Sequence, residues 1–416
     1  MELSVKKASR FFFHTMPKLH YFNPGHEAAV LMGTPNYTAP ENVRKMQKDL
    51  ASLPLWYADA GDYVYVNERS APNPLDSIPI TLRPNVILLT KDKLKEKASI
   101  LPTMEVAPWG LSPQSIHLFE LLQEGTALSL AIPAWNTDYF HLTSRRTVEG
   151  CSKDLRRLLP DQPIPSSPHF CKSLDEAEKL ISESDGTLIL KTPYSSSGRG
   201  LLWLKEPKMD IQTRNWIKGA IKRQGMISIE KGLDKVQDFA MEFYSDGEGT
   251  VRYEGLSLFN TEERGAYTGN ILEGQEKMLH RISQYVEKKA ILRIQEAVRI
   301  TLEAIYGNTY KGYLGVDMLV YRQENGCFAI HPCVEINMRY TMGMVALRLY
   351  QHYIHPDSTG YFRVDYEKES GEAYDKHQEM LSTYPLILTE GKIKSGYLSL
   401  CPVLRDTHYR AYIFIQ

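Results

Sequence analysis

The chain has 416 residues, 43% of them hydrophobic and 24% charged, an ordinary balance for a soluble globular protein and enough length for two or three domains. A formal net charge of -1 gives no electrostatic case for nucleic acid or an anionic membrane surface as partner. Its five cysteines, at 151, 171, 327, 333 and 401, have neither the parity of a disulfide framework nor the spacing of a zinc site. They read as free thiols in a reducing compartment, with the cytoplasm as the default.

Residues 1–15 carry Lys6, Lys7 and Arg10 and then only Phe11-Phe12-Phe13, too short a core for a signal peptide, and are expected to form a disordered extension. No later run approaches the roughly 20 apolar residues of a membrane span. From Leu19 the chain reads as a strand, a tight turn at Pro24-Gly25, and a helix or loop beginning near His26. Asn23, His26 and Glu27 then sit at the carboxyl edge of a parallel sheet, where ligands collect, or serve as a capping network. Pro40 to Leu53 is predicted as an amphipathic helix, 62–66, 85–90 and the run from Glu105 as strands, and Gln114 to Gln123 as a helix. This alternation predicts a parallel α/β domain over 16–140. Ser144 to Leu159 reads as a helix ending before Pro160, and Ser173 to Ser182 as another, with Glu176 three residues after Ser173 as in a capping box.

Two stretches then carry the chemistry. Leu188-Ile-Leu-Lys191 is a buried-looking strand ending in a lysine, and Thr192 to Gly200 is a Ser/Gly loop whose backbone N–H groups and hydroxyls suit phosphate oxygens. It is not a P-loop, because Lys191 precedes the loop and no helix follows. Taken alone it is an ordinary turn as readily as a phosphate site. The second stretch runs from Gly315 to Gly343 and reads as a hairpin turning at Asn325-Gly326. Strand alternation places Glu335, Asn337 and Arg339 on one face, with Asp317 opposite Glu335 and Asn337. Two carboxylates and an amide oxygen form a hard-oxygen cluster suited to Mg²⁺, and Arg339 extends the row with a fixed charge for phosphate. Read alone, the same row is an exposed polar sheet face.

Together, in this order, these stretches resemble the ATP-grasp superfamily, over roughly Thr143 to Arg348. The resemblance implies an α/β protein with an α+β ATP-grasp half: a parallel N-terminal domain over 16–140, a two-lobed ATP-grasp domain over 141–350 (small lobe 141–235, central sheet 236–350), and a small β-rich C-terminal appendage over 351–416. It implies ATP binding by Lys191, Ser195, Ser196, Ser197, Gly198 and Gly200 at the phosphates, and by Glu230, Lys231 and Leu233 at the adenine hinge. Asp238 falls where the ribose is bound. Asp317, Glu335 and Asn337 are implied ligands of one or two Mg²⁺, with Mn²⁺ as an alternative. Lys191 and Arg339 are implied to steady the transferred phosphoryl group. The second phosphate lysine of the family is replaced by Arg145 or Arg146, of which Arg146 is taken for the nucleotide. Arg252, Arg264, Tyr267 and Asn270 would face the acceptor.

Such enzymes activate a carboxylate as an acyl phosphate and let an amine displace the phosphate, so the resemblance implies a carbon–nitrogen ligase acting on small-molecule substrates. A kinase acting on a hydroxyl, or a non-catalytic nucleotide-binding protein, would use the same nucleotide residues. The sequence leaves the acceptors and the oligomeric state open; a homodimer is the default for a soluble enzyme.

Overall fold

A computed structural model describes residues 16–68, 73–195, 200–261 and 267–416. The expected N-terminal extension lies outside them. The first domain is a five-stranded sheet in which β1 (Lys18–Tyr21), β2 (Tyr63–Val66), β3 (Ile87–Thr90), β4 (Met104–Pro108) and β5 (Leu130–Ala131) run in parallel in the order β3-β2-β1-β4-β5. Four helices connect these strands: α1 (His26–Met32), α2 (Glu41–Asp49), α3 (Lys91–Lys97) and α4 (Pro113–Glu124). Ser112 and Ser115 close a reciprocal capping box at the start of α4, and Pro113 occupies its first turn, so that helix end is satisfied by sequence alone.

Helices α5 (Asp138–Leu142) and α6 (Thr147–Leu158) lead into a small lobe. Its antiparallel sheet, ordered β6-β9-β7-β8, comprises β6 (His169–Cys171), β7 (Leu188–Lys191), β8 (Leu201–Leu204) and β9 (Ile227–Lys231), backed by α7 (Leu174–Ser182) and α8 (Ile211–Gln224). Ser173 caps α7 as expected, but Glu176 reaches back to the Lys172 N–H. Helix α8 was not anticipated, although Asp210 caps its start and Gly225 ends it in the left-handed conformation.

The largest layer is a nine-stranded sheet. It contains β10 (Asp234–Asp246), β11 (Val251–Thr261), β12 (Tyr267–Leu272), β13 (Lys311–Arg322), β14 (Phe328–Asn337), β15 (Gly360–Tyr366), β16 (Ile387–Thr389), β17 (Lys392–Ser399) and β18 (Tyr409–Ile415), in the order β14-β13-β10-β11-β12-β15-β18-β17-β16. Four helices belong to it: α9 (Gln275–Ser283), α10 (Lys288–Tyr306), α11 (Met342–Tyr353) and α12 (Glu372–Thr383). Residues Val251–Thr261 form the one strand β11, and α9 is separated from α10 where the Ile282 carbonyl accepts from both Tyr285 and Val286.

Period-two alternation decides which face of this sheet does what. Phe239, Met241 and Phe243 of β10, and Leu314, Val316, Met318 and Val320 of β13, pack on the stripe Ile291, Ile294, Val298 and Leu302 of α10. Each such side chain contributes about 1.5–3 kcal/mol on burial. The intervening residues are thereby turned to the opposite face.

The C-terminal strands do not make a sheet of their own. They continue the nine-stranded sheet through β12 and β15, and their apolar residues Phe362, Leu398 and Ile413 share a core with Leu53, Leu55 and Trp56 of the N-terminal domain. Trp56 donates to the Leu400 carbonyl at 2.6 Å, and Asp49 accepts from the backbone of His408 and Tyr409. Among the described residues no helix is long and apolar enough to cross a membrane.

Candidate active site

A cavity of about 750 Å³ lies on the face of the nine-stranded sheet away from α10, roofed by the small lobe and closed at one end by the N-terminal domain. The β13–β14 register pairs Asp317 with Glu335 and Gly315 with Asn337. Directly opposed residues share a face, so Asp317, Glu335 and Asn337 form one row on the cavity wall, as the alternation predicted. Burial first, and then the carboxylates of Glu335 and Glu242, push the Asp317 carboxyl up to about 8. Acids crowded this way are short of positive charge.

That shortage is the test of whether a divalent ion fits. Two carboxylates and one amide oxygen are hard donors of the kind Mg²⁺ takes, with phosphate oxygens and water completing its shell. Among the described residues no group of three or more His, Cys, Asp or Glu side chains is arranged to hold a metal ion.

The part of the cavity next to β7 is basic. Lys191, at the end of β7, points to the cavity with Nζ 2.7 Å from Glu230 of β9. Arg145 donates to the Thr192 carbonyl at 2.7 Å and the Ser195 hydroxyl at 2.6 Å, while its Nη2 lies 3.0 Å from Glu335. Its buried Nε has no hydrogen-bond partner among the described residues. Of the two arginines on the turn before α6, Arg145 lines the cavity, whereas the Arg146 guanidinium lies over the Phe170 ring. Gly200 has φ 75°, and a Cβ there would overlap the Thr192 hydroxyl, so this end of the loop requires glycine. Ser196, Ser197 and Gly198 lie outside the described residues.

Glu230, Lys231, Leu233 and Asp238 all line the cavity. Glu230 is ion-paired to Lys191, and Asp238 accepts from Lys235 Nζ at 2.6 Å and from the Thr261 hydroxyl at 2.7 Å.

Arg339 is more committed than its expected role allowed. Nε donates to Glu27 at 2.7 Å, Nη1 to the Tyr340 carbonyl at 3.0 Å and Nη2 to Asn337 Oδ1 at 2.8 Å. Burial alone would raise the Glu27 carboxyl, but His26 and Arg339 outweigh it and hold it well below the usual carboxylate range. Arg339 thus ties the row on β14 to helix α1. Asn23 instead exchanges hydrogen bonds with the Gly110 backbone, and His26 packs against Gly110. Among the acceptor candidates, Tyr267 and Asn270 line the cavity and bond each other at 2.5 Å. Arg252 is exposed and paired with Glu254, and Arg264 lies outside the described residues.

Sequence reasoning missed Glu242. The signal was present: counting by two from Asp238 along β10 passes Ala240 and reaches Glu242 on the same face. The remaining wall, from Val43, Met46, Trp109, Val364, Tyr366 and Tyr409, comes from α2, the loop after β4, β15 and β18, and carries no local motif.

No family model matches the chain, and no curated protein does. Solved structures do. Biotin carboxylase from Campylobacter jejuni in its β,γ-ATP complex matches at 12% identity over 97% of this chain and 88% of that chain, with a TM-score of 0.51. N5-carboxyaminoimidazole synthetase from Staphylococcus aureus matches at 11% identity over 96% and 93%, with a TM-score of 0.48. An L-amino acid ligase from Bacillus licheniformis matches at 13% identity over 96% and 93%, with a TM-score of 0.42.

Proposed function

Starting from the ATP-grasp fold of this chain, we propose that it is an ATP- and Mg²⁺-dependent ligase that activates a carboxylate as an acyl phosphate and joins it to an amine, releasing ADP and phosphate. The observation that carries the reading is the register of the β13–β14 hairpin, which sets Asp317 against Glu335 on a cavity wall faced by Lys191 and Arg145.

Phosphoryl transfer asks a protein mainly for positioning and charge neutralisation. Lys191 and Arg145 supply fixed cations for the phosphates, and the backbone around Thr192 and Ser195 is held in place by the same arginine. Mg²⁺, held by Asp317, Glu335 and Asn337, would neutralise charge on the phosphate oxygens. Arg339 keeps the Asn337 amide oriented with its oxygen in the row. Glu230, Lys231, Leu233 and Asp238 form the nucleoside end. The roof of the cavity limits water, which an acyl phosphate needs to survive.

The test is product analysis with ATP, Mg²⁺ and mixed amino acids. ADP with inorganic phosphate and a new amide is the expected result. ADP with a phosphorylated product would make the protein a kinase, and nucleotide binding without turnover would make it a binding protein.

A further inference from the structure

Beyond Asn337 the cavity changes character. Glu242 stands on the same sheet face as the metal row, paired with Gly315, which is itself paired with Asn337. Two strand spacings of about 4.8 Å put it roughly 10 Å from Asn337 across the sheet. Two glycines make room for its carboxylate: a Cβ at Gly315 would come within 2.9 Å of Oε2, and one at Gly343 would overlap Oε1. The carboxylate is 1% exposed and accepts from the hydroxyls of Ser257 at 3.0 Å and Thr341 at 2.8 Å. Among the described residues no cation forms an ion pair with it. A buried acid on a cavity wall, held by hydroxyls and lacking a counter-ion, awaits a cation from the ligand.

The cavity lining also includes the apolar side chains of Val43, Met46, Trp109, Met342 and Val364 and the rings of Tyr366 and Tyr267, the last within electrostatic reach of Glu242. The cation lining this end among the described residues is Arg339, whose three guanidinium nitrogens are already engaged. Among the described residues, then, a phosphorylated acceptor would meet no uncommitted cation at this end.

We propose that this end binds a small, phosphate-free primary amine with an apolar body, that Glu242 holds its ammonium group, and that Glu242 accepts a proton from it. This rests on the ligase reading above, which supplies the acyl phosphate. The ammonium gives one proton to Glu242, which frees the nitrogen lone pair. The nitrogen then forms the C–N bond, the C–O bond to phosphate breaks with its electron pair on the phosphate, and the second proton leaves with that phosphate. Burial, partly offset by the Thr341 and Ser257 hydroxyls, raises Glu242 to about 7, a useful value for a base near neutrality. The titratable groups that act on or respond to Glu242 are Asp317, Arg339, Tyr253 and Tyr267.

The experiment compares wild type with Glu242→Gln, given ATP, Mg²⁺ and a panel of L-amino acids and short fatty acids as carboxylates. The acceptors are hydroxylamine, 3-methylbutylamine and O-phosphoethanolamine. Hydroxylamine is largely neutral at about pH 7 and reports the acyl phosphate as hydroxamate, whereas alkylamines with pKa near about 10.4 arrive protonated. The expected result is an amide-to-hydroxamate ratio at least tenfold lower in Glu242→Gln at about pH 7, a deficit that narrows at about pH 9.5, and a wild type that prefers 3-methylbutylamine. An unchanged ratio, or loss of hydroxamate together with amide, overturns the assignment of Glu242 while leaving the ligase reading standing through the wild-type hydroxamate. Preference for O-phosphoethanolamine overturns the substrate class. Neither product from wild type with any carboxylate removes the ligase reading and the proposal with it. Should Glu242→Gln fail to fold, Met46→Lys carries the test: it should shift the selectivity ratio towards O-phosphoethanolamine by at least tenfold, and no shift would overturn the apolar assignment.

Discussion

The two ends of the cavity are built on opposite principles. On the wall faced by Lys191 and Arg145 three acids have a cation in contact, Glu230 with Lys191, Glu335 with Arg145 and Asp238 with Lys235, and Asp317 beside Glu335 has none among the described residues. Glu242, further along the same sheet face, has only hydroxyls for hydrogen-bond partners. A ligand that is the same in every turnover can be met by a fixed set of paired charges, which hold the site in shape while it is empty. A ligand that must be chosen is met by shape, and by one charge whose complement only the right molecule brings.

The contrast can be broken at its junction. Glu27→Ala would strand Arg339, which lies between the two ends, and removing one partner of a buried pair costs roughly 3–5 kcal/mol. Thermal or urea unfolding should register a loss of that order, with poorer Mg²⁺-dependent nucleotide binding, and a stability within error of wild type would mean that Arg339 needs no partner. At the charged end, Glu335→Gln should lower ADP formation about 10²- to 10³-fold. It should also abolish the Mg²⁺ dependence of the thermal shift given by ATP. A mutant that keeps that dependence would remove Glu335 from the metal row. Arg145→Ala should cost on the order of 10²-fold in the same assay, whereas Arg146→Ala should stay within about threefold; equal losses would return Arg146 to the site.

The uncompensated acid on that wall also predicts a pH dependence of the ligand-free protein. Asp317 is raised to about 8 in the folded state, against roughly 3.9 unfolded, so between those values the native chain binds the extra proton. Stability from this group is fully present below about pH 4 and is lost as pH rises towards about 8. Asp317→Asn should flatten that part of the stability profile, measured by unfolding from about pH 5 to pH 8. An identical slope in the variant would assign it to other groups.

Legibility in the sequence followed the same division. The hairpin and the lysine strand were readable because each is a local run: alternation fixes the face, Asn325-Gly326 fixes the turn, and the register then follows. Parallel strands and their capped helices were readable for the same reason. Arg145 against Arg146 was not, because the choice depends on how α6 is rotated against the sheet. The C-terminal strands were read as β but not as continuing the central sheet, since a pairing such as β12 with β15 joins Leu272 to Gly360 across intervening helices and strands. Glu242 was legible by counting and was passed over; the apolar side chains of the cavity lining, gathered from four distant segments, carry no signal before the chain is folded.

The bond between Glu27 and Arg339 spans 312 residues, and that between Trp56 and Leu400 spans 344. A ribosome releases the first member of each pair long before the second exists. The residue that orients Asn337 is thus seated by a segment made long before it, and the sheet carrying it is closed against the N-terminal domain by strands made later still. The cavity is accordingly complete only after Val364, Tyr366 and Tyr409 have been added, and a chain arrested just past the β13–β14 hairpin, however well that hairpin has formed, still lacks part of its wall.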